Sequence, residues 1–275
     1  MTLFRRVLTY RLTLYYLTAI VLAALTLSVL GIVHQLWMNL AFSTVVALLA
    51  CLGVNWAFAR IFEAQNNWES VCISALIIVL IITPSAPDDL AATGFLILVS
   101  AWAMASKYVV AISKRHLFNP AAFGAALMGV GFHRTVSWWV GDNVVLLPLL
   151  ALGGALILTR LRYYEMLAAY ALVVLGISIA HGDHYSFAGV AHAISMMGIH
   201  SMFFFFGLVM LTEPRTAPLG RWRQIAYGVL VGLLFSPFTH VGNYYFTPEV
   251  AILCGNLFAF FSNRRRIRRW AGAFA

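Results

Sequence analysis

A chain of 275 residues that is 62% hydrophobic and only 10% charged lacks the polar side chains to clothe a water-facing surface, since soluble domains carry roughly 25% charged residues. Its net charge of +9 does not point to nucleic acid, because the basic residues sit between apolar segments and at the termini instead of on one folded face. A lipid bilayer is the solvent that suits it, with room for roughly ten spans of about 20 residues and no sizeable soluble domain.

Residues 1–11 lead straight into a long apolar run with no small-residue cleavage site, which reads as a first span and not as a signal peptide. The apolar segments then follow at 12–33, 40–58, 70–82, 90–112, 117–132, 144–159, 166–180, 187–211, 225–238 and 249–261. Those starting at Ser70, Leu117 and Glu249 are short for a full crossing. Short segments flanked by proline are expected where helices break around a site at the bilayer midplane. Cys51, Cys72 and Cys254 lie in or beside these runs with no CxxC between them, which predicts inert, buried packing.

Charge orients the spans. Arg5, Arg6 and Arg11 precede the first span, Arg60 follows the second, and Lys107, Lys114 and Arg115 end the fourth. Arg160 and Arg162 follow the sixth, Arg215, Arg221 and Arg223 the eighth, and Arg264, Arg265, Arg266, Arg268 and Arg269 the tenth. With ten spans only Arg134 falls on the opposite side, so the positive-inside rule places both termini in the cytoplasm of a bacterial-type inner membrane.

Two stretches echo each other. Thr83-Pro84-Ser85-Ala86-Pro87 ends the third segment, and Thr212-Glu213-Pro214-Arg215-Thr216-Ala217-Pro218 ends the eighth. Downstream, Phe118-Asn119-Pro120-Ala121 opens the fifth helix and Phe246-Thr247-Pro248-Glu249 the tenth. Pro84 and Pro120 are 36 positions apart, Pro214 and Pro248 34. The pattern predicts two five-helix repeats, about 12–132 and 144–262 of one transmembrane domain. An odd number of helices per repeat makes the second copy inverted. Asn119 and Thr247 occupy N-cap positions; helix N-termini there also suit an anionic or carbonyl group of a ligand.

Several motifs resemble the NqrB/RnfD family, the membrane subunits of Na⁺-translocating NADH:quinone reductase and of the Rnf electron-transport complex. They are Ser106-Lys107-Tyr108, Arg115-His116-Leu117-Phe118-Asn119-Pro120-Ala121, Trp139-Val140-Gly141-Asp142, and Leu158-Thr159-Arg160-Leu161-Arg162. Met210 to Pro218 with Gly220-Arg221-Trp222, and Pro248-Glu249-Val250-Ala251-Ile252-Leu253 with Asn256, complete the set. They run in the family's order from about residue 100 to 262; residues 1–65 match only in hydropathy. The resemblance, to a short RnfD-like member, implies an all-α polytopic membrane protein of about ten transmembrane helices in two inverted five-helix repeats, similar to urea-transporter-like channels. It also implies flavin and electron transfer. Family members attach FMN to a threonine in a Ser-Gly-Ala-Thr type segment, and the interval Ala121 to Val140 holds only Thr135, without that context. The expected cofactor is therefore a noncovalent flavin, FMN or riboflavin, with redox subunits or a soluble flavoprotein as partners beside the bilayer.

Ionisable residues within apolar spans are functional candidates. The expected cofactor-binding set is Lys107, Phe118, Asn119, Pro120, Asp142, Glu213, Pro214, Arg215, Pro248, Glu249 and Asn256. Bland alternatives stand beside it: Lys107 snorkelling to the inner face, Glu249 favouring its own helix N-terminus, Asp142 capping the sixth helix. His181, Asp183 and His184 lack a fourth ligand, so no metal site is expected. His192 and His200 are too far apart to ligate one ion together. Phe203 to Phe206 reads as packing, and Trp138 and Trp139 as an aromatic belt at the outer interface. No Walker A motif or strand-borne GxGxxG occurs. Two functions remain: an electron-transfer subunit binding flavin or quinone between its repeats, or a small-solute channel or transporter using the same inverted-repeat pore.

Overall fold

The computed structural model describes residues 3–112, 115–134, 136–181, 189–192, 194–195, 202–236, 239–242 and 244–263. In chain order the helices are α1 (Leu3–Val29), α2 (Trp37–Ile61), α3 (Trp68–Ile81), α4 (Leu90–Val109), α5 (Pro120–Phe132), α6 (Leu147–Leu161) and α7 (Tyr164–His181). Then come α8 (Phe203–Phe205), which runs on into a π-helical turn (Phe206–Met210), α9 (Arg221–Phe235) and α10 (Pro248–Ser262). Two antiparallel hairpins interrupt them: β1 (Ala111–Ile112) with β2 (Arg115–His116), and β3 (His240–Val241) with β4 (Tyr244–Tyr245). Lys114, Thr135, Asp183, His184, His200 and the Arg264–Arg269 cluster lie outside the described residues.

Among the described residues, three helices are long and apolar enough to cross a membrane: Tyr10–Val29, Trp37–Ile61 and Leu90–Val109. Trp68–Ile81, Pro120–Phe132, Leu147–Leu161, Tyr164–Ala180 and Pro248–Ser262 are apolar but shorter. At about 1.5 Å per residue, α3 climbs only about 21 Å, below the roughly 30 Å of a hydrocarbon core. Large apolar side chains such as Leu22, Leu49, Trp56, Leu152, Leu156 and Leu172 point outward from their helices.

α3 is the centre of the packing. Apart from Cys72, every residue from Ser70 to Ile82 is buried, as expected of a helix that is hydrophobic all round. α2 packs on α4 as α7 packs on α9, and α4 packs on α5 as α9 packs on α10. α1 lies against α3, and α6 against α8 with its π turn. α1 also touches α6, and α5 touches α10. Each hairpin directly precedes a proline-started helix, and each is closed alike, by Leu117 N–H on Val110 O and Phe246 N–H on Thr239 O.

Ends of the elements follow their local chemistry. α4 stops at Val109, short of the expected 112, because the chain turns into β1. α5 starts at Pro120, where proline's missing N–H costs nothing, and Asn119 accepts from Ala122 N–H at 3.1 Å. Thr247 accepts from Val250 N–H at 3.5 Å at the start of α10. Both expected caps are therefore present. The expected Asp142 cap is not: α6 begins at Leu147, its N-cap is Leu146 without a side-chain bond, and Asp142 lies exposed five residues upstream.

Trp138 and Trp139 correct a second expectation, since neither faces outward as a belt tryptophan does. Both are buried, and residues 137–140 close the C-terminal end of α3. A helix leaves its last four carbonyls without internal partners, and here all four are met. Ile78 O accepts from Ile82 N–H at 2.9 Å, Val79 O from Trp139 Nε1–H at 2.9 Å, and Leu80 O from Val140 N–H at 3.4 Å. Ile81 O accepts from Trp138 N–H at 2.8 Å and Ser137 Oγ–H at 3.2 Å. Irregular backbone ended by Pro84 can thus stay deep in an apolar protein. Trp138 adopts φ of 51°, a left-handed conformation rare for a bulky residue. Phe203, Phe205 and Phe206 are buried and pack on Tyr170 and Trp138, in line with the packing reading. Cys51 is fully buried, whereas Cys72 and Cys254 are half-buried; all three are free thiols.

Candidate functional site

A cavity opens where α1, α3, α6, the end of α8 and the start of α5 converge. Its apolar walls are Ile73 and Ile77 of α3, Ile157 and Leu161 of α6, and Leu208 and Val209 of the π turn. Its polar lining groups are Ser70, Ser74, Asn119, Thr212 and Glu213, with Tyr10 and Thr13 from α1. The empty space, counted out to the open mouth, is about 590 Å³. Apolar walls with a few placed polar groups are the lining that small-molecule sites share.

Sequence positions explain why these groups meet. Ser70 and Ser74 are four apart and share a face of α3. Asn119 and Glu213 stand at two proline breaks, which are brought together where Asn119 Nδ2 meets the Met210 thioether at 3.7 Å. Asn119 N–H, an orphan donor ahead of α5, is taken by Asn256 Oδ1 at 2.8 Å, and Asn256 Nδ2 in turn donates to Tyr227 Oη at 3.1 Å. Asn256 thereby ties α10 and α9 to the cavity edge.

Glu213 is the charged member. Its Oε1 lies 3.2 Å from His116 Nε2, and its Oε2 accepts from Thr216 Oγ at 3.1 Å. Burial works against the Glu213 charge, but the His116 and Thr216 hydrogen bonds and the Arg215 charge outweigh it and hold the carboxyl below its ordinary range. Burial likewise pushes the His116 imidazole below its ordinary range, against the pull of Glu213. At neutral pH the contact is accordingly a neutral imidazole donating Nε2–H to a carboxylate.

This arrangement has a pH consequence. The folded chain binds a proton at His116 less readily than the unfolded chain does. Stability is therefore full above the unfolded histidine value of about 6.5 and declines as the pH drops below it. Melting temperature in detergent should fall as the pH drops below about 6.5, and His116→Gln should remove that part of the fall.

Of the expected site residues, Asn119, Pro120, Glu213 and Pro214 line the cavity. Three others stand one contact behind. Lys107 donates Nζ–H to Ser70 O at 2.9 Å and to Ser70 Oγ at 3.2 Å. Its ammonium is thus held on the first turn of α3 instead of extending into free water. Arg215 lies 5.2 Å above the Tyr10 ring, and Asn256 acts through Asn119. The rest do not join this group. Phe118 stacks on Phe123 at 5.7 Å, and Asp142 is exposed. Pro248 and Glu249 belong to a second polar spot, where Glu249, 3% exposed, accepts from Trp138 Nε1–H at 2.6 Å.

His116 was visible only as part of a motif; its pairing with Glu213, 97 positions away, has no sequence signal. Among the described residues no group of three His, Cys, Asp or Glu could hold a metal ion. No protein-family model and no curated protein sequence matches the chain.

Proposed function

We propose that this chain is an integral membrane, RnfD-like electron-transfer subunit that holds a flavin or a quinone, noncovalently, in the cavity between Asn119 and Glu213. The observation that carries this reading is that cavity, whose lining joins apolar side chains to hydroxyl, amide and carboxylate groups. The residues fit a neutral flavin such as riboflavin better than FMN. Glu213 faces the space, while Lys107 and Arg215 stand behind Ser70 and Tyr10 and are poorly placed to receive a phosphate. A bound flavin would supply the one- and two-electron chemistry, and the protein would bind, orient and dry it. Electrons would come from a partner subunit or a soluble flavoprotein.

About ten spans in two inverted five-helix repeats, with both termini cytoplasmic in a bacterial-type inner membrane, form the frame we propose. The matched helix pairings, the matched hairpins ahead of α5 and α10, and the one-sided basic residues support it. Labelling of single cysteines in a cysteine-free background is the test. Residues beside Pro84 should react from the side opposite to residues beside Glu213, and labelling of both from one side would overturn the inverted frame.

Packing favours a cofactor over a solute pore. Phe205 and Phe206, fully buried and in ring contact with Trp138, stand between the Trp138–Glu249 spot and the cavity-lining stretch from Leu208. The deciding experiment is an absorption spectrum of the protein purified in mild detergent, with acid extraction and chromatography of any pigment or quinone. A flavin band or extracted quinone is expected. A preparation free of both whose proteoliposomes swell with urea-sized solutes would establish the channel instead.

A further inference from the structure

Four arginines stand at one junction of α6, α7 and α9. Arg160 lies in the last turn of α6, Arg162 ends it, and Tyr164 opens α7 two residues later. Arg221, Trp222 and Arg223 form the first turn of α9. Glu165 Oε1 stands 3.3 Å from Arg221 Nε, which fixes the start of α9 against the start of α7. Among the described residues, Arg160, Arg162 and Arg223 have no carboxylate partner, so one acid faces four bases; Arg223 reaches only the Leu219 carbonyl, at 3.4 Å. All four arginines are exposed, and Trp222 is 79% exposed between two of them.

Helix stability does not explain the arginines of α9. A helix N-terminus carries partial positive charge and disfavours cations, and Gly220 supplies no side-chain cap. An anion from outside the chain would answer them.

The helix faces beside the patch distinguish between anions. On α6, Leu152, Leu156 and Arg160 are four apart, exposed, and share a face. On α7, Leu172, Ala168 and Tyr164 repeat that order toward its start. An exposed apolar stripe thus runs along each helix and gives way to a guanidinium or a phenol at the junction. An acidic protein would satisfy the arginines and leave the stripes bare. An anionic phospholipid satisfies both. Guanidinium groups take phosphate oxygens in pairs, acyl chains lie along the leucines, and Trp222 sits at the headgroup level, where indoles collect.

We propose that the patch of Arg160, Arg162, Arg221 and Arg223 docks the phosphate headgroup of an anionic phospholipid whose chains follow the exposed leucines of α6 and α7. This goes beyond the cofactor reading and takes from it only the membrane setting. Each arginine near a membrane surface contributes about fivefold to anionic-lipid binding. Three without a carboxylate give a preference over a zwitterionic lipid of at least about tenfold.

The test places the full-length protein in phosphatidylcholine vesicles and adds phosphatidylglycerol or phosphatidylcholine with bromines high on one chain, which quench nearby indoles. Trp222→Phe, at an exposed position that folding does not need, is the blank, and the quenching it removes belongs to Trp222. There the brominated phosphatidylglycerol should associate at least about tenfold more strongly than the brominated phosphatidylcholine. Arg160→Gln combined with Arg162→Gln should shrink that ratio several-fold. Arg60→Gln, which removes a charge from the last turn of α2, should leave it unchanged. If the double variant fails to fold, the ratio in the parent protein still decides. Equal association of the two lipids would overturn the inference. A short polyglutamate peptide that abolishes the preference would assign the patch to an acidic protein partner and overturn it as well. Release of the protein from the vesicles by alkaline carbonate would instead remove the membrane setting, and the proposed function with it.

Discussion

Trp138→Ala is expected to lower stability by roughly 4 kcal/mol, the range for truncating a fully buried tryptophan. Trp138 is 2% exposed, packs its ring on Phe205 and Phe206 at 6.3 and 5.7 Å, and gives its Nε1–H to Glu249 at 2.6 Å. Truncation therefore opens a cavity and strips a buried carboxyl group of one of its hydrogen-bond donors. Trp138→Phe separates the two effects, because it keeps most of the apolar volume and loses only the N–H. It should cost about 0.5–1.5 kcal/mol, the net worth of one hydrogen bond. Adding Glu249→Met to Trp138→Phe should recover part of that loss, since replacing both partners by apolar groups is close to neutral. Denaturant titration in detergent reads all three. A Trp138→Phe protein as stable as the parent would mean that the indole–carboxyl bond contributes nothing.

The second large effect concerns glycines that set helix spacing. A Cβ on Gly228 of α9 would lie 2.3 Å from the Met166 carbonyl oxygen of α7, and one on Gly124 of α5 would lie 2.3 Å from the Val99 carbonyl oxygen of α4. Both neighbours are backbone and cannot swing aside. Alanine at either site should cost at least about 1–3 kcal/mol through forced separation of the helices, and leucine should prevent assembly of the folded protein. Gly94 and Gly176 are the controls, because a Cβ there meets nothing within 4 Å. Alanine at those two sites should be neutral or stabilising by about 0.5–1 kcal/mol, from helix propensity alone. Thermal melting and size-exclusion profiles would show the opposite signs, and equal behaviour of all four sites would refute the close packing.

The positions of the helices were legible because apolar runs and prolines act locally. Pro120 and Pro248 each start a helix, and the residue before each provides the cap its N-terminus requires. Asp142 misled because a cap is recognised by its neighbour: Pro148 falls in the first turn of α6, and the chain stays irregular until then. The two tryptophans misled for a different reason. An indole at a bilayer surface and an indole closing a helix end have the same sequence signature, an apolar body with one donor. Only the proximity of residues 137–140 to the unsatisfied carbonyls of α3 separates the cases. Asn119, Glu213 and Asn256 were singled out by their place beside prolines or in motifs. Their division into a cavity group and a separate Trp138–Glu249 spot depends on contacts across 91 to 137 positions, which no local pattern encodes.

The wide turn from Phe206 to Met210, where Leu211 N–H reaches back five residues to Phe206 O at 2.9 Å, holds one residue more than an ordinary helix needs for the same rise. The wider loop absorbs that residue. Deleting a single residue there would restore regular winding and leave Glu213 facing His116, whereas the same deletion in an ordinary helix swings everything beyond it by about 100°. The chain there has a spare link, and its loss would be silent for the carboxylate.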